Sequence, residues 1–200
     1  MSVLRRVVLL RHGETQGDSG SRFHGSNDVA LSDEGRRQVR EAAHGLRREV
    51  FELVVASPLR RSWRSAAIVA GTAPVRLEAG FREVHFGRWE GLSAEEIQAQ
   101  DPVLYEDWQA GREGFEYPSG ERRADFRARV LAAFASIEAS GAANVLCVLH
   151  KGVIRVIAEH LGGALEADQP ALGGSVSFSR AAGGAWRAGR RSSNPEALVA

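Results

Sequence analysis

Three short apolar runs divide the chain, and polar residues follow each of them directly. The runs are RRVVLL at 5–10, FELVVA at 51–56 and NVLCVL at 144–149. Short stretches rich in valine and leucine, without a polar residue at every second position, are typical of strands that are buried on both faces of a sheet. The sequence therefore predicts three buried strands.

A helical pattern of apolar positions follows each run. Ser32 is the predicted N-cap of the first helix, and Ser57, with Pro58 as the first helical residue, is the predicted start of the second. Residues 153–161 are the third predicted helix. Strands that alternate with helices indicate an α/β domain with a mostly parallel sheet. The predicted apolar faces consist of Val39, Ala42, Ala43 and Leu46 in the first helix and of Trp63, Ala66, Ala67 and Ala70 in the second.

Two later segments complete the predicted layout. Residues 86–123 fit the alternation poorly, and we expect a small insertion there, over one edge of the sheet, within a single domain of residues 1–200. A helix follows, and GSVSFSR and GAWRAGR near the carboxyl end predict a closing hairpin. The aromatic side chains of the insertion either line an apolar wall of a substrate site or, as is more common, form the core of the insertion itself. They are Trp89, Tyr105, Trp108 and Phe115. The apolar positions of the helix are Phe126, Val130, Ala133, Phe134 and Ile137.

Composition and charge narrow the function classes. The chain has 44% hydrophobic residues and a formal net charge of +1, which gives no electrostatic basis for binding nucleic acid or an anionic membrane. No apolar stretch approaches the length of a membrane helix, and Arg5 and Arg6 interrupt any signal-like segment. The single cysteine, Cys147, is expected to be a small buried hydrophobic residue. A cytoplasmic protein is the expectation.

The polar groups that follow the three strands are candidates for a shared site. Arg11 and His12 follow the first strand, Arg61 lies in the first turn of the second helix, and His150 follows the third strand. The carboxyl ends of parallel strands meet at one edge of a sheet, where ligands bind. Guanidinium groups beside a helix start favour a phosphate or a carboxylate. Taken singly, each group has a simpler interpretation: a capped strand end, a solvated helix face or a hydrogen-bonded core histidine.

These residues also resemble a known family. RHGET at 11–15 is similar to the signature of the histidine phosphatase superfamily, the phosphoglycerate-mutase-like enzymes. The likeness continues through further blocks in the same order and spans nearly the whole chain. It implies a three-layer α/β/α fold with a mostly parallel central sheet and a small insertion over the carboxyl-terminal edge of that sheet. The further blocks are RFHGSNDVALSDEG, SPLRR, REVHFGRWEGL, PSGE and LHKGVIRVI.

The resemblance implies a role for each candidate residue. His12 would be a nucleophile that forms a phosphohistidine, and Arg11, Arg61 and His150 would bind the phosphoryl oxygens. Glu83 would be the general acid and base. The simpler interpretation of Glu83 is an ion pair with a neighbouring arginine. No cofactor is implied, and no cluster of acids and histidines has the spacing of metal ligands, so we expect metal-independent chemistry.

The chain departs from the family pattern at two positions. Asp18 stands where many members have an asparagine, and we expect its carboxylate to turn away from a phosphate, toward Arg22. Lys151 stands where glycine is common; it faces either a substrate anion or solvent. The mutases of the family that the chain resembles are longer and have a larger insertion. The resemblance therefore implies hydrolysis of a small phosphorylated metabolite rather than phosphoglycerate mutase activity dependent on 2,3-bisphosphoglycerate. A non-catalytic module that binds a phosphorylated ligand remains the alternative, and a homodimer is one open oligomeric state.

Overall fold

A computed structural model of the chain describes residues 3–17, 22–166, 169–181 and 184–192. Within these residues the strands form one sheet in the order β3-β2-β4-β1-β5-β6. The strands are β1 (Arg6–Arg11), β2 (Leu53–Ala56), β3 (Val75–Leu77), β4 (Asn144–Leu149), β5 (Ser175–Arg180) and β6 (Trp186–Ser192). The helices are α1 (Asp33–Leu46), α2 (Arg60–Ala70), α3 (Ala94–Gln100), α4 (Pro102–Gln109), α5 (Arg123–Glu138) and α6 (Lys151–His160), with short 3-10 helices at Ala79–Phe81 and Gly87–Trp89.

The sheet is mixed, and the predicted strands occupy its centre. β2, β4 and β1 are neighbours and run parallel, as does β3 beside β2. β5 and β6 run antiparallel on the other edge, and they form the predicted hairpin. The prediction of a mostly parallel sheet is confirmed for the strands that carry the candidate residues.

Helices cover both faces of the sheet. Alternate residues of a strand point to opposite faces, so Val7 and Leu9 of β1 pack with α5 and α6, whereas Val8 and Leu10 pack with α1 and α2. The five apolar positions predicted for α5 are all buried. This arrangement is the three-layer α/β/α fold that the resemblance implied.

The start of α2 differs from the prediction. The helix begins at Arg60, with Leu59 as its N-cap, and not at Pro58 after a Ser57 cap. The first backbone N–H of the helix, that of Arg60, donates instead to the Asp28 carboxylate at 2.6 Å. The predicted apolar face is also wrong at Ala67, which is exposed; the buried face of α2 includes polar residues.

The aromatic residues of segment 86–123 form a small apolar core of their own. Trp89 is fully buried and packs with Ile97, Tyr105 and Phe115. This is the more common of the two interpretations, and it is confirmed. Cys147 is buried as expected, and burial raises the pKa of its thiol to about 12. No helix in the described part of the chain is both long enough and apolar enough to span a membrane.

Candidate active site

Two neighbouring strands deliver two imidazoles to the same edge of the sheet. The parallel register places Arg11 opposite Leu149, so His12 and His150 leave adjacent strands side by side. The backbone N–H of His12 donates to the Leu149 carbonyl at 3.0 Å. The two rings lie 5.1 Å apart, edge to face. The prediction that His12 and His150 lie close together, because each follows a neighbouring parallel strand, is confirmed.

His12 is held as a neutral imidazole with a defined tautomer. Its Nδ1 lies 2.7 Å from the carbonyl oxygen of Gly13. A carbonyl only accepts, so Nδ1 carries the proton and Nε2 keeps its lone pair. Burial, and then the positive charges of Arg61 and Arg11, hold the pKa of His12 well below its ordinary value of 6.5. Nε2 is therefore an available nucleophile at neutral pH.

His150 has the opposite tautomer. Arg61 Nε donates to its Nδ1 at 3.2 Å, so the proton of the neutral ring is on Nε2. Burial, followed by Arg61, holds the pKa of His150 well below 6.5. His150 is fully buried, and its Nε2 has no hydrogen-bond partner among the described residues. A buried donor left unsatisfied costs free energy, which an anion accepting from it would recover.

Arg61 is a buried cation fixed by backbone carbonyls. Besides His150, its guanidinium donates to the carbonyl oxygens of Asn27 at 2.6 Å, His24 at 2.9 Å and Gly25 at 2.7 Å. Four of the five N–H groups of a guanidinium are thereby used. One N–H remains for a ligand; Glu83, Glu90 and Asp28 stabilise the charge electrostatically but accept none of these hydrogen bonds. Arg61 is 1% exposed, and none of these four hydrogen bonds is to a carboxylate.

The loop that supplies these carbonyls is itself fixed by Glu90. The Glu90 carboxylate accepts from the backbone N–H groups of Gly25, Ser26 and Asn27 at 2.8–3.3 Å and from that of Phe86 at 3.0 Å. Glu90 thus joins the loop that holds Arg61 to the segment after Glu83. Glu90 is not among the residues predicted from the sequence, although it lies within the matching block REVHFGRWEGL.

Glu83 lies at the same edge of the sheet, where its carboxylate contacts the start of α6. One carboxylate oxygen accepts from the Gly152 N–H at 3.0 Å and the other from the N–H of Val84. Burial raises the pKa of Glu83 above its ordinary 4.5, although both N–H donors and then Arg61 act in the lowering direction. A Cβ on residue 152 would lie 2.4 Å from a Glu83 oxygen, so this approach requires glycine.

The remaining predicted residues have different outcomes. Arg11 ends β1 and donates to the Pro170 carbonyl at 3.1 Å, and its charge lowers the pKa values of both His12 and His150. Lys151 is the first residue of α6 and is half-buried. The prediction for Asp18 falls outside the described residues; the Arg22 side chain, its expected partner, forms an ion pair with Glu96 at 2.8 Å.

We call His12, Glu83, Arg61, His150 and Arg11 the His12 site. It combines an unprotonated ring nitrogen, an unsatisfied N–H donor, two guanidinium groups and a carboxyl group whose pKa is raised. Preorganised positive charge and donors stabilise a phosphoryl group that is being transferred. A carboxyl group that stays protonated can supply a proton to a leaving oxygen. The arrangement is therefore suited to transfer of a phosphoryl group to an imidazole.

Comparison with known proteins agrees with this chemistry. Residues 7–183 match the model of the histidine phosphatase superfamily, branch 1. A curated relative, the glucosyl-3-phosphoglycerate phosphatase of Mycobacterium tuberculosis, is 35% identical over 181 residues, which cover 85% of this chain and 81% of the relative. Phosphoglycerate mutase-like protein 4 of Arabidopsis thaliana is 29% identical over 180 residues, covering 87% and 78% of the two chains.

Solved structures give the same result. The native structure of a mycobacterial glucosyl-3-phosphoglycerate phosphatase superposes with a TM-score of 0.76 at 33% identity, over 92% of this chain and 96% of that one. The α-ribazole phosphatase of Shigella flexneri superposes with a TM-score of 0.76 at 27% identity, over 88% and 91%. Both similarities extend over nearly the whole length of each chain.

Proposed function

The chain belongs to the histidine phosphatase superfamily, and we propose that it hydrolyses phosphoric monoesters of small metabolites through a phosphohistidine formed on His12. The observation that carries this proposal is the pair of opposed tautomers. The His12 ring offers a lone pair on Nε2, and the His150 ring beside it offers an unsatisfied N–H. A nucleophile and a donor for the phosphoryl oxygens are thus set next to each other by neighbouring strands.

In the first step, His12 Nε2 attacks the phosphorus atom while the ester P–O bond breaks. The new bond is the N–P bond of the phosphohistidine. Arg61, His150 and Arg11 hold the phosphoryl oxygens, and Glu83 gives its proton to the departing alkoxide, which leaves as an alcohol. The raised pKa of Glu83 favours the protonated form that this step needs.

In the second step, water replaces the imidazole. The Glu83 carboxylate takes a proton from the water molecule whose oxygen attacks phosphorus, and the N–P bond breaks. Inorganic phosphate leaves, and His12 returns to its neutral form with the Nδ1 proton still donated to Gly13. Glu83 is protonated again, so the cycle closes without net change in the protein.

The relatives suggest which substrates to test. Glucosyl-3-phosphoglycerate and α-ribazole phosphate are named for similar proteins, and both are monoesters of polar, sugar-containing metabolites. We propose that this chain acts on a compound of the same chemical class. A cytoplasmic location, a homodimer and the metal independence of the reaction stay predictions.

A phosphate-release panel tests the function directly. The panel contains p-nitrophenyl phosphate, 3-phosphoglycerate, glucosyl-3-phosphoglycerate and α-ribazole phosphate, each with and without EDTA and 2,3-bisphosphoglycerate. We expect release of inorganic phosphate that EDTA does not reduce. Isomerisation of 3-phosphoglycerate that exceeds hydrolysis would instead identify a mutase, and binding without turnover would identify a non-catalytic module. Loss of activity with EDTA would show a metal-dependent reaction.

A further inference from the structure

A groove lies between α1 and α2, and no residue of the His12 site lines it. Its volume is about 420 Å³, which is within the range of pockets that bind small molecules. Two arginines from each helix converge on it. We call it the arginine groove, and its lining includes Leu31, Arg36, Arg40, Arg60, Arg64 and Ile68.

Three of the four arginines in the groove form no ion pair with the residues that the structure describes. Arg36 has a carboxylate partner, the exposed Asp33 at 2.9 Å. Among the described residues, the side chains of Arg40 and Arg60 have neither a hydrogen bond nor an ion pair. Arg64 stacks on the Trp63 ring, 4.1 Å from its centroid, and within the described part of the chain it forms no ion pair. Asp28, the acid beside Arg60, accepts from the backbone N–H that begins α2.

Arg37, which follows Arg36 in α1 but does not line the groove, shows how acidic partners can accommodate the same residue type. Arg37 forms ion pairs with both Glu34 and Glu41, one turn away in each direction. In the groove, by contrast, the residues four positions from Arg36 and from Arg60 are further arginines. Like charges at that spacing repel each other along a helix. An anion bound between the helices would offset this repulsion.

We propose that the arginine groove binds a small polyanion, a molecule that carries two or more phosphate or carboxylate groups. The planar guanidinium group matches the oxygens of either anion in a two-pronged contact. Two pairs of arginines, one on each helix, provide for two such groups. Buried Leu31 and half-buried Ile68 give the groove an apolar part against which the body of the ligand can pack. The near-neutral net charge argues against a nucleic acid as the ligand.

The test is direct binding of sodium tripolyphosphate and of citrate, measured by isothermal titration calorimetry at low salt. The groove variant is R40Q/R64Q, which removes two exposed charges that form no ion pair with any described residue. The matched control is R48Q/R122Q, which removes two exposed arginines elsewhere that also have no side-chain partner in the described chain. Turnover of p-nitrophenyl phosphate is measured in parallel, because either probe could also compete at the His12 site.

We expect one probe or both to bind with a Kd that rises about tenfold or more in R40Q/R64Q and changes less than about twofold in the control. Tighter binding of tripolyphosphate would show that the groove prefers phosphate groups. Tighter binding of citrate would show that it prefers carboxylate groups. The KM, and the Ki of the probe against turnover, should be the same in all proteins. Equal Kd values for wild type and R40Q/R64Q would overturn the proposal, as would a Kd equal to the Ki. A single-stranded oligonucleotide that binds more tightly than both probes and loses affinity in R40Q/R64Q would overturn it in favour of a nucleic-acid surface.

Discussion

Arg60 and Arg61 are neighbours at the start of α2, and they face two different regions of the molecule. Arg61 is buried in the His12 site, where an imidazole and three backbone carbonyls fix its guanidinium. Arg60 is exposed in the arginine groove, where its side chain has no partner among the described residues. The same side chain is thus a rigid element of the proposed catalytic centre at one position and an exposed charge at the next.

The difference shows what a buried arginine requires. Desolvation of a cation is costly, and it is the first cause that lowers the pKa of Arg61. The carbonyl oxygens of the loop compensate for the lost water, and Glu90 holds that loop in place. The charge of Arg61 is therefore directed at a ligand without being cancelled by a contacting carboxylate. Arg60 needs no such support because water surrounds it.

The largest expected effect separates the two arginines directly. Replacement of Arg61 in R61Q should lower kcat/KM by about 10³-fold, because a unit charge at about 4 Å is worth roughly 4 kcal/mol at an effective dielectric of 20. The neighbouring R60Q should keep kcat/KM for a monoester within about twofold. Steady-state phosphate release measures both, and circular dichroism confirms that both are folded. Similar losses in R60Q and R61Q would break the comparison.

The next effect concerns the proton that we propose Glu83 supplies. E83Q should lower kcat/KM about 100-fold or more for an alkyl phosphate such as 3-phosphoglycerate, because general acid catalysis contributes on that scale. This parameter reports the steps up to departure of the alcohol, so it excludes the later attack of water in which Glu83 acts as the base. The loss should be much smaller for p-nitrophenyl phosphate, whose leaving group departs without a proton. The ratio of the two losses is the measurement. An equal loss on both substrates would mean that Glu83 has a structural role and is not the acid.

A smaller effect is expected for Glu90, which acts through the loop around Arg61. E90Q keeps the shape of the side chain but removes its charge, and the hydrogen bonds it accepts weaken. We expect kcat/KM to fall about 10-fold to 100-fold through misplacement of Arg61, with the pH profile unchanged. E106Q, which alters an exposed glutamate of α4, is the matched control and should not differ from wild type. Full activity in E90Q would show that the loop holds its position without this anchor.

The pH profile gives the finest distinction. Because the pKa of His12 is lowered, kcat/KM should reach its plateau at a pH below the ordinary histidine value of 6.5, where the ring is already neutral. Because the pKa of Glu83 is raised, the decline at higher pH should begin above 4.5, as the carboxyl group loses its proton. The decline should disappear in E83Q. A profile whose rise is centred above 6.5 would contradict the burial of His12.

The sequence predicts well what depends on short-range pattern. Alternating strands and helices place Arg11, His12 and His150 at the ends of adjacent strands, and the five buried positions of α5 follow from helical periodicity alone. The resemblance to the family adds Glu83, which no local pattern would single out. It lies in a loop, and its position depends on the N–H of Gly152, which is 69 residues away in the chain.

What the sequence misses depends on contacts between distant segments. Ser57 resembles an N-cap, yet the Asp28 carboxylate binds the first N–H of α2 and the helix begins at Arg60. Glu90 resembles a surface acid, yet it accepts from a loop more than 60 residues earlier. Backbone carbonyls as the partners of Arg61 leave no trace in the side-chain sequence.

Covalent trapping tests the central claim, which is nucleophilic attack by His12. The protein is mixed with a ³²P-labelled monoester and quenched in base, where phosphohistidine survives. We expect label that is stable in base, is lost in acid, maps to the peptide containing His12 and is absent from H12A, with turnover in H12A reduced about 10⁴-fold or more. Label on another residue, or turnover by H12A at the wild-type rate, would contradict the mechanism.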